Sequence, residues 1–163
     1  LEDDDIWTEW HLETLYEAAL LTQRSAFVST SQQQVDFDGK DLGVFDFPTC
    51  SGWLMTREVW DKIGGFDESF TIHHDNFALG MLNKYKIRRG HLVENTPNPP
   101  QRQQLTVLPL FTWIVPGNPA GLTVRRMIHG ESIMAGVAGD EAKKQRSQLE
   151  YQSLTAEFSC IPW

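Results

Sequence analysis

The stretch CSGWLMTREVWDKIGGFDESF, residues 50–70, decides how the rest of the chain is read. Small and aromatic residues up to Met55 suit a loop entering a strand. Thr56 can accept a hydrogen bond from a first-turn amide, so it caps a short helix over 57–63. Gly64-Gly65 stops that helix, because glycine reaches the left-handed backbone that ends it. Phe66 and Phe70 can anchor the turn in the core, which leaves Asp67, Glu68, His73, His74 and Asp75 near a helix start.

On the C-terminal side, a helix is expected over 75–85. Ala78, Met81, Leu82 and Tyr85 recur at i, i+3, i+4 and i+7, which gives one buried face. A strand follows over 86–93. His73, His74 and Asp75 fall at the start of the helix. A carboxylate there is held as the anion by the free N–H groups, so Asp75 reads equally as an N-cap or as a general base. Adjacent histidines point apart, which argues against a two-histidine metal site.

On the N-terminal side, residues 26–30 (AFVST) read as a strand and residues 31–43 as a polar loop or hairpin tip. Residues 7–24 read as a helix, with Trp7, Trp10, Leu15, Ala18, Ala19 and Leu21 roughly on one face. Before it, LEDDD closes a strand and enters a turn. Four neighbouring carboxylates repel each other, and a cation reverses that balance. Carboxylate oxygens are the ligands that Mg and Mn prefer, although a solvated acidic tip fits the same letters.

Further along, NTPNPP (95–100) can hold neither ladder nor helix and serves as a connector. The longest apolar run, residues 105–115, reads as a buried strand or a loop packed on the core. Its length is far below the roughly twenty residues of a spanning helix, which argues against membrane contact. In RRMIHGESI, Arg125, Arg126 and His129 suit a diphosphate, though a surface basic pair fits as well. Asp140 caps a polar helix running to Phe158. Strands alternating with helices indicate an α/β architecture.

Composition narrows the function. With 163 residues, 40% hydrophobic, one domain with a real core is expected. A net charge of −8 argues against a nucleic-acid binder working through a basic surface. Cys50 and Cys160 offer neither a metal spacing nor a disulfide framework, and no leader pattern opens the chain, so a cytoplasmic location is expected.

Together these segments resemble the second half of a family-two glycosyltransferase with the GT-A fold. LEDDDIW followed by a helix resembles that family's acidic metal motif. Residues 50–70 resemble its acceptor-side segment. HHDNFALGMLNKYKIRRG resembles the element in which Glu-Asp opens a helix and the Asp is the catalytic base; here His74 stands where Glu is usual. IHGES resembles a late His-x-x-Ser. The likeness covers residues 1–95 and, more loosely, 120–133.

It implies a mixed sheet flanked by helices, without the family's first, nucleotide-binding half. It divides the chain into a metal- and acceptor-binding core (1–95), a connector (96–119) and a C-terminal loop and helix (120–163). It implies Mn or Mg held by Asp3, Asp4, Asp5 and His129. Glu2 with Asp4 is the alternative register of the acidic motif. Arg125, Arg126 and Ser132 would face the diphosphate of a nucleotide-sugar donor. Gly52, Trp53, Asp67, Glu68 and His74 would face a glycan or other hydroxyl acceptor, and Asp75 would be the base of an inverting transfer. Trp53 and Trp113 could stack on sugar rings or simply pack in the core. Two further readings stay open: a non-catalytic carbohydrate- or partner-binding domain derived from such an enzyme, and a metal-dependent hydrolase using LEDDD with His73, His74 and Asp75.

Overall fold

A computed structural model describes residues 5–21, 26–36, 38–45, 47–92, 111–114, 124–127, 133–160 and 162. The chain forms β1 (Asp5–Trp7), α1 (His11–Leu21), β2 (Phe27–Thr30), β3 (Gln32–Val35) and β4 (Asp41–Phe45). A 3-10 turn (Cys50–Gly52) then leads into β5 (Trp53–Met55), α2 (Arg57–Ile63), α3 (His74–Lys84) and β6 (Arg89–Leu92). β7 (Phe111–Ile114), β8 (Val124–Met127), α4 (Ile133–Gly139) and α5 (Glu141–Phe158) complete the order.

The strands build two mixed four-stranded sheets. The first has the order β5-β2-β6-β7, with β2, β6 and β7 parallel and β5 antiparallel at its edge. The second has the order β1-β8-β3-β4, where only β3 and β8 run parallel. The chain leaves the first sheet at Thr30 and enters the second at Gln32; the Ser31 amide bonds the Leu92 carbonyl between them.

Helices cover both faces of the first sheet. Successive strand residues face opposite ways. Accordingly Phe27 packs with Val59, Ile63, Ala78, Leu79 and Leu82 of α2 and α3, while its neighbour Val28 packs with Leu15 and Ala18 of α1. Both β2 and β6 are buried along their whole length. A strand covered on both faces shows no alternation. The architecture is therefore mixed α/β, as expected.

The 57–63 helix forms with its expected bounds. Thr56 accepts from the Val59 amide, and Gly64 ends the helix at φ +82°. Gly65 follows at φ +72°. Several boundaries differ from expectation. Trp7 lies in β1 and Trp10 in a turn, so α1 begins only at His11. Strand pairing with β8 holds Trp7 extended, which sequence periodicity alone cannot show. Of the two readings of residues 31–43, the hairpin holds: β3 and β4 pair, and the Asp36 carboxylate accepts from the Asp38 and Lys40 amides at its tip. β8 and α4 arise in residues 121–139, GLTVRRMIHGESIMAGVAG, a glycine-rich stretch whose sequence is hard to assign to any element. The connector at 95–100 lies outside the described residues. No helix among the described residues is long and apolar enough to cross a membrane.

Candidate functional site

The acidic and basic segments meet in the second sheet. β1 runs antiparallel to β8, with Asp5 opposite Arg126 and Ile6 opposite Arg125. β8 also pairs with β3, so the arginine strand lies between an acidic strand and a glutamine strand. These segments are some 120 residues apart in sequence, and only the sheet brings them together. Asp5 is 6% exposed. Asp3, Asp4, His129 and Ser132 lie outside the described residues, as do the side chains of Arg125, Arg126 and Trp113.

Among the described residues, no three His, Cys, Asp or Glu side chains gather into a ligand set. Asp5 is the one member of the expected set whose side chain is described. A buried carboxylate at the start of a strand, with the rest of LEDDD directly before it, fits a hard divalent ion such as Mg or Mn.

Trp7 joins this strand to the 50–70 segment. Its indole N–H donates to the Ser51 carbonyl at 2.7 Å, and its ring stacks on His11 at 4.4 Å. Next to Ser51, Gly52 packs on the end of β2. A Cβ there would stand 3.0 Å from the Thr30 carbonyl oxygen and 3.0 Å from Thr30 Cγ2, so the close approach favours glycine. Trp53 is a packing residue: its ring meets Phe27 edge-on at 5.2 Å and Phe66 at 5.9 Å, and its N–H donates to the Pro48 carbonyl.

The turn after α2 is closed by Asp67, whose carboxylate accepts from the Ser69 amide at 2.8 Å. Hydrogen bonds from the Ser69 side chain and amide hold the Asp67 carboxyl below its ordinary value. Glu68 is exposed on the same turn. His73 takes the N-cap position of α3 and makes no side-chain cap, so Asp75 is not the N-cap. Asp75 sits instead in the first turn, half-buried, and accepts from the Asn76 amide at 2.8 Å. The two histidines do point apart. His73 is buried against α5, while the His74 ring meets the Phe66 ring edge-on at 4.9 Å.

Sequence reasoning missed the groups that hold this turn. Glu150 of α5 is 4% exposed and collects five donors. Its Oε1 accepts from the Thr71 amide (2.9 Å), the Thr71 hydroxyl (3.0 Å) and Arg146 Nε (2.8 Å). Its Oε2 accepts from the Ile72 (3.0 Å) and His73 (2.9 Å) amides. Burial pushes its pKa up, but the bonds from Thr71, Arg146, His73 and Ile72 outweigh burial and pull it down to about 2. Beside it, His73 Nε2 and Ser147 Oγ share a 2.7 Å hydrogen bond, and the His73 ring stacks on Tyr151 at 3.9 Å. Burial lowers the His73 pKa, and Glu150 only partly offsets that. Burial first and the Asp75 charge second raise the Tyr151 hydroxyl. The available signal was positional: Ser147, Glu150, Tyr151 and Leu154 share one helical face, a pattern that hydropathy alone does not show.

A second buried polar set lies where β2 leaves the first sheet. His91 is fully buried between Ser29 Oγ (2.7 Å from Nδ1) and Ser31 Oγ (3.2 Å from Nε2). Two residues before it, Arg89 is buried deeply enough that its pKa falls to about 10. Compared with protein-family models, curated proteins and solved structures, the chain matches none of them.

Proposed function

We propose that the chain is the metal-binding and acceptor-side part of a glycosyltransferase that moves a sugar from a nucleotide-diphosphate donor to an acceptor hydroxyl. The observation that carries this reading is the pairing of β1 with β8, which sets Asp5 of the acidic motif opposite Arg126 of the basic one. A diphosphate that arrives with a divalent cation needs carboxylates for the metal and guanidiniums for the oxygens, side by side.

In this reading Asp3, Asp4, Asp5 and His129 hold Mn or Mg, which supplies charge neutralisation at the diphosphate. Arg125, Arg126 and Ser132 bind the remaining phosphate oxygens. Gly52, Trp53, Asp67, Glu68 and His74 border the acceptor, Trp53 by supporting Phe66 from the core. Asp75 accepts the acceptor's hydroxyl proton while that oxygen bonds the anomeric carbon. The bond from that carbon to the diphosphate oxygen breaks, and the nucleoside diphosphate keeps the electron pair. Inversion at the anomeric carbon follows from such a single displacement.

Titration with UDP and GDP, with Mn present and then with EDTA, tests the donor half of the reading. Binding that EDTA abolishes supports it; binding that ignores EDTA refutes the metal assignment. Asp75→Asn tests the chemistry. Transfer should fall by about 10²-fold or more, as expected for loss of a general base, with the unfolding midpoint kept. Unchanged turnover removes Asp75 from the role. His74, which stands where the family has Glu and packs on Phe66, favours one second reading: a binding domain without turnover. Nucleotide binding with no sugar transfer to any acceptor would select it.

A further inference from the structure

We infer that Glu150 is a positioning residue for Asp75: through the backbone of residues 71–73, it fixes where α3 begins and so where the base points. The inference rests on the glycosyltransferase reading for what Asp75 does, but not for how Asp75 is held.

Five donors converge on two carboxylate oxygens, and all but the Arg146 guanidinium belong to residues 71–73. A carboxylate has about four lone-pair sites, so Glu150 is saturated by the segment it holds. Three of the donors are consecutive backbone amides immediately before α3. These amides precede the first turn of the helix and take Glu150 as their acceptor, the last of them being the amide of the N-cap residue itself. Glu150 reaches across from α5 and accepts from the amide of His73, the N-cap residue, which makes no side-chain cap of its own. The adjoining contacts repeat the connection: Arg146 to the Ser69 carbonyl, Ser147 to His73, and Tyr151 stacked on His73. Past the base, the Asn76 side chain donates to the Pro162 carbonyl at 2.7 Å. Asp75 thus lies between anchored residues on both sides, and these hydrogen-bonding anchors come from the C-terminal part of the chain. Displacing a base by about 1 Å can cost about 10²-fold in rate.

The test compares the full chain with Glu150→Gln and Glu150→Asp by amide hydrogen exchange. Glu150→Gln should lose at least about tenfold of its protection over residues 71–77, while Val28 and Leu92 keep theirs. Glu150→Asp should recover part of it. Unchanged protection over 71–77, or an equal loss at every amide, overturns the inference. Turnover is read alongside, with UDP-glucose and GDP-mannose as donor probes. In Glu150→Gln, kcat should fall by about 10²-fold with the donor KM unchanged. A wild-type kcat in that variant also overturns the inference. A wild-type protein that uses neither donor counts against the enzyme reading alone, and the exchange result still decides the positioning. If Glu150→Gln does not fold, Ser147→Ala removes only the His73 bond. It should loosen residues 73–75 locally, and the absence of any loosening refutes the claim.

Discussion

Replacing Glu150 by glutamine keeps the shape of the side chain and removes its charge. The magnitude follows from its titration. The pKa stands at about 2, against 4.5 for an unperturbed glutamate. A folded-state value below the unfolded one means the ionised form favours folding. That stabilisation is complete above about pH 4.5 and is lost as the pH falls toward 2. Each unit is worth about 1.4 kcal/mol, so the ionised carboxylate contributes about 3 kcal/mol at neutral pH. Against a total stability of about 5–15 kcal/mol, that is a large share. At about pH 3 only about half of it remains, because the group is by then largely protonated in the unfolded chain while still mostly ionised in the folded one. Urea denaturation of wild type and Glu150→Gln should therefore show a gap of about 3 kcal/mol at pH 7 that shrinks by about half at pH 3. A gap below about 1 kcal/mol at pH 7, or one independent of pH, would refute the argument that these hydrogen bonds select the charged form.

His73 should add an acid-sensitive window of its own. Its folded-state pKa lies below 6.5, so unfolding takes up a proton, and stability should start to fall just below that pH. His73→Gln should flatten the denaturation midpoint between pH 6.5 and 5 and leave the lower window in place. Thr56→Ala removes the acceptor for the Val59 amide and should lower stability by about 0.5–1 kcal/mol, measured by thermal melts. At Gly80, a Cβ would come within 2.6 Å of Phe158 Cδ2 and Cζ. Gly80→Ala should destabilise by about 1 kcal/mol despite alanine's better helix propensity, and in a Phe158→Ala background it should become stabilising, which a double-mutant cycle would show.

What the sequence made legible was what short-range chemistry determines. The Thr56 cap, the Gly64-Gly65 stop and the Asp140 cap each depend on groups within four residues, and each end falls where expected. The strand over 26–30 is likewise marked by a local β-branched and aromatic run. Boundaries failed where a distant partner decides them. Trp7 is extended because β8, about 117 residues later, pairs with it. The 31–43 segment read as a loop or a hairpin tip, and the hairpin forms; its place in a larger sheet is set by β8 and by Ser31's bond to Leu92. In the candidate site, the acidic and basic motifs could be named from their letters, but it was the family resemblance and not either motif that put them at one site.

α5 shows the same limit from the other direction. Its buried face carries Ser147, Glu150 and Leu154, so a hydropathy profile finds little to bury and reads the helix as solvated throughout. Burial there is nonetheless favourable, because a carboxylate that gathers three backbone amides, a hydroxyl and a guanidinium replaces the water it loses. Those amides lie just ahead of α3, beyond the reach of its intrahelical bonds, and their acceptor comes from α5. The reason for Glu150 therefore lies in a helix start some 75 residues earlier. It follows that the C-terminal helix is not an appendage to the 1–95 segment: without residues 146–151, the turn that presents His74 and Asp75 would have to find new partners for Thr71, Ile72 and His73.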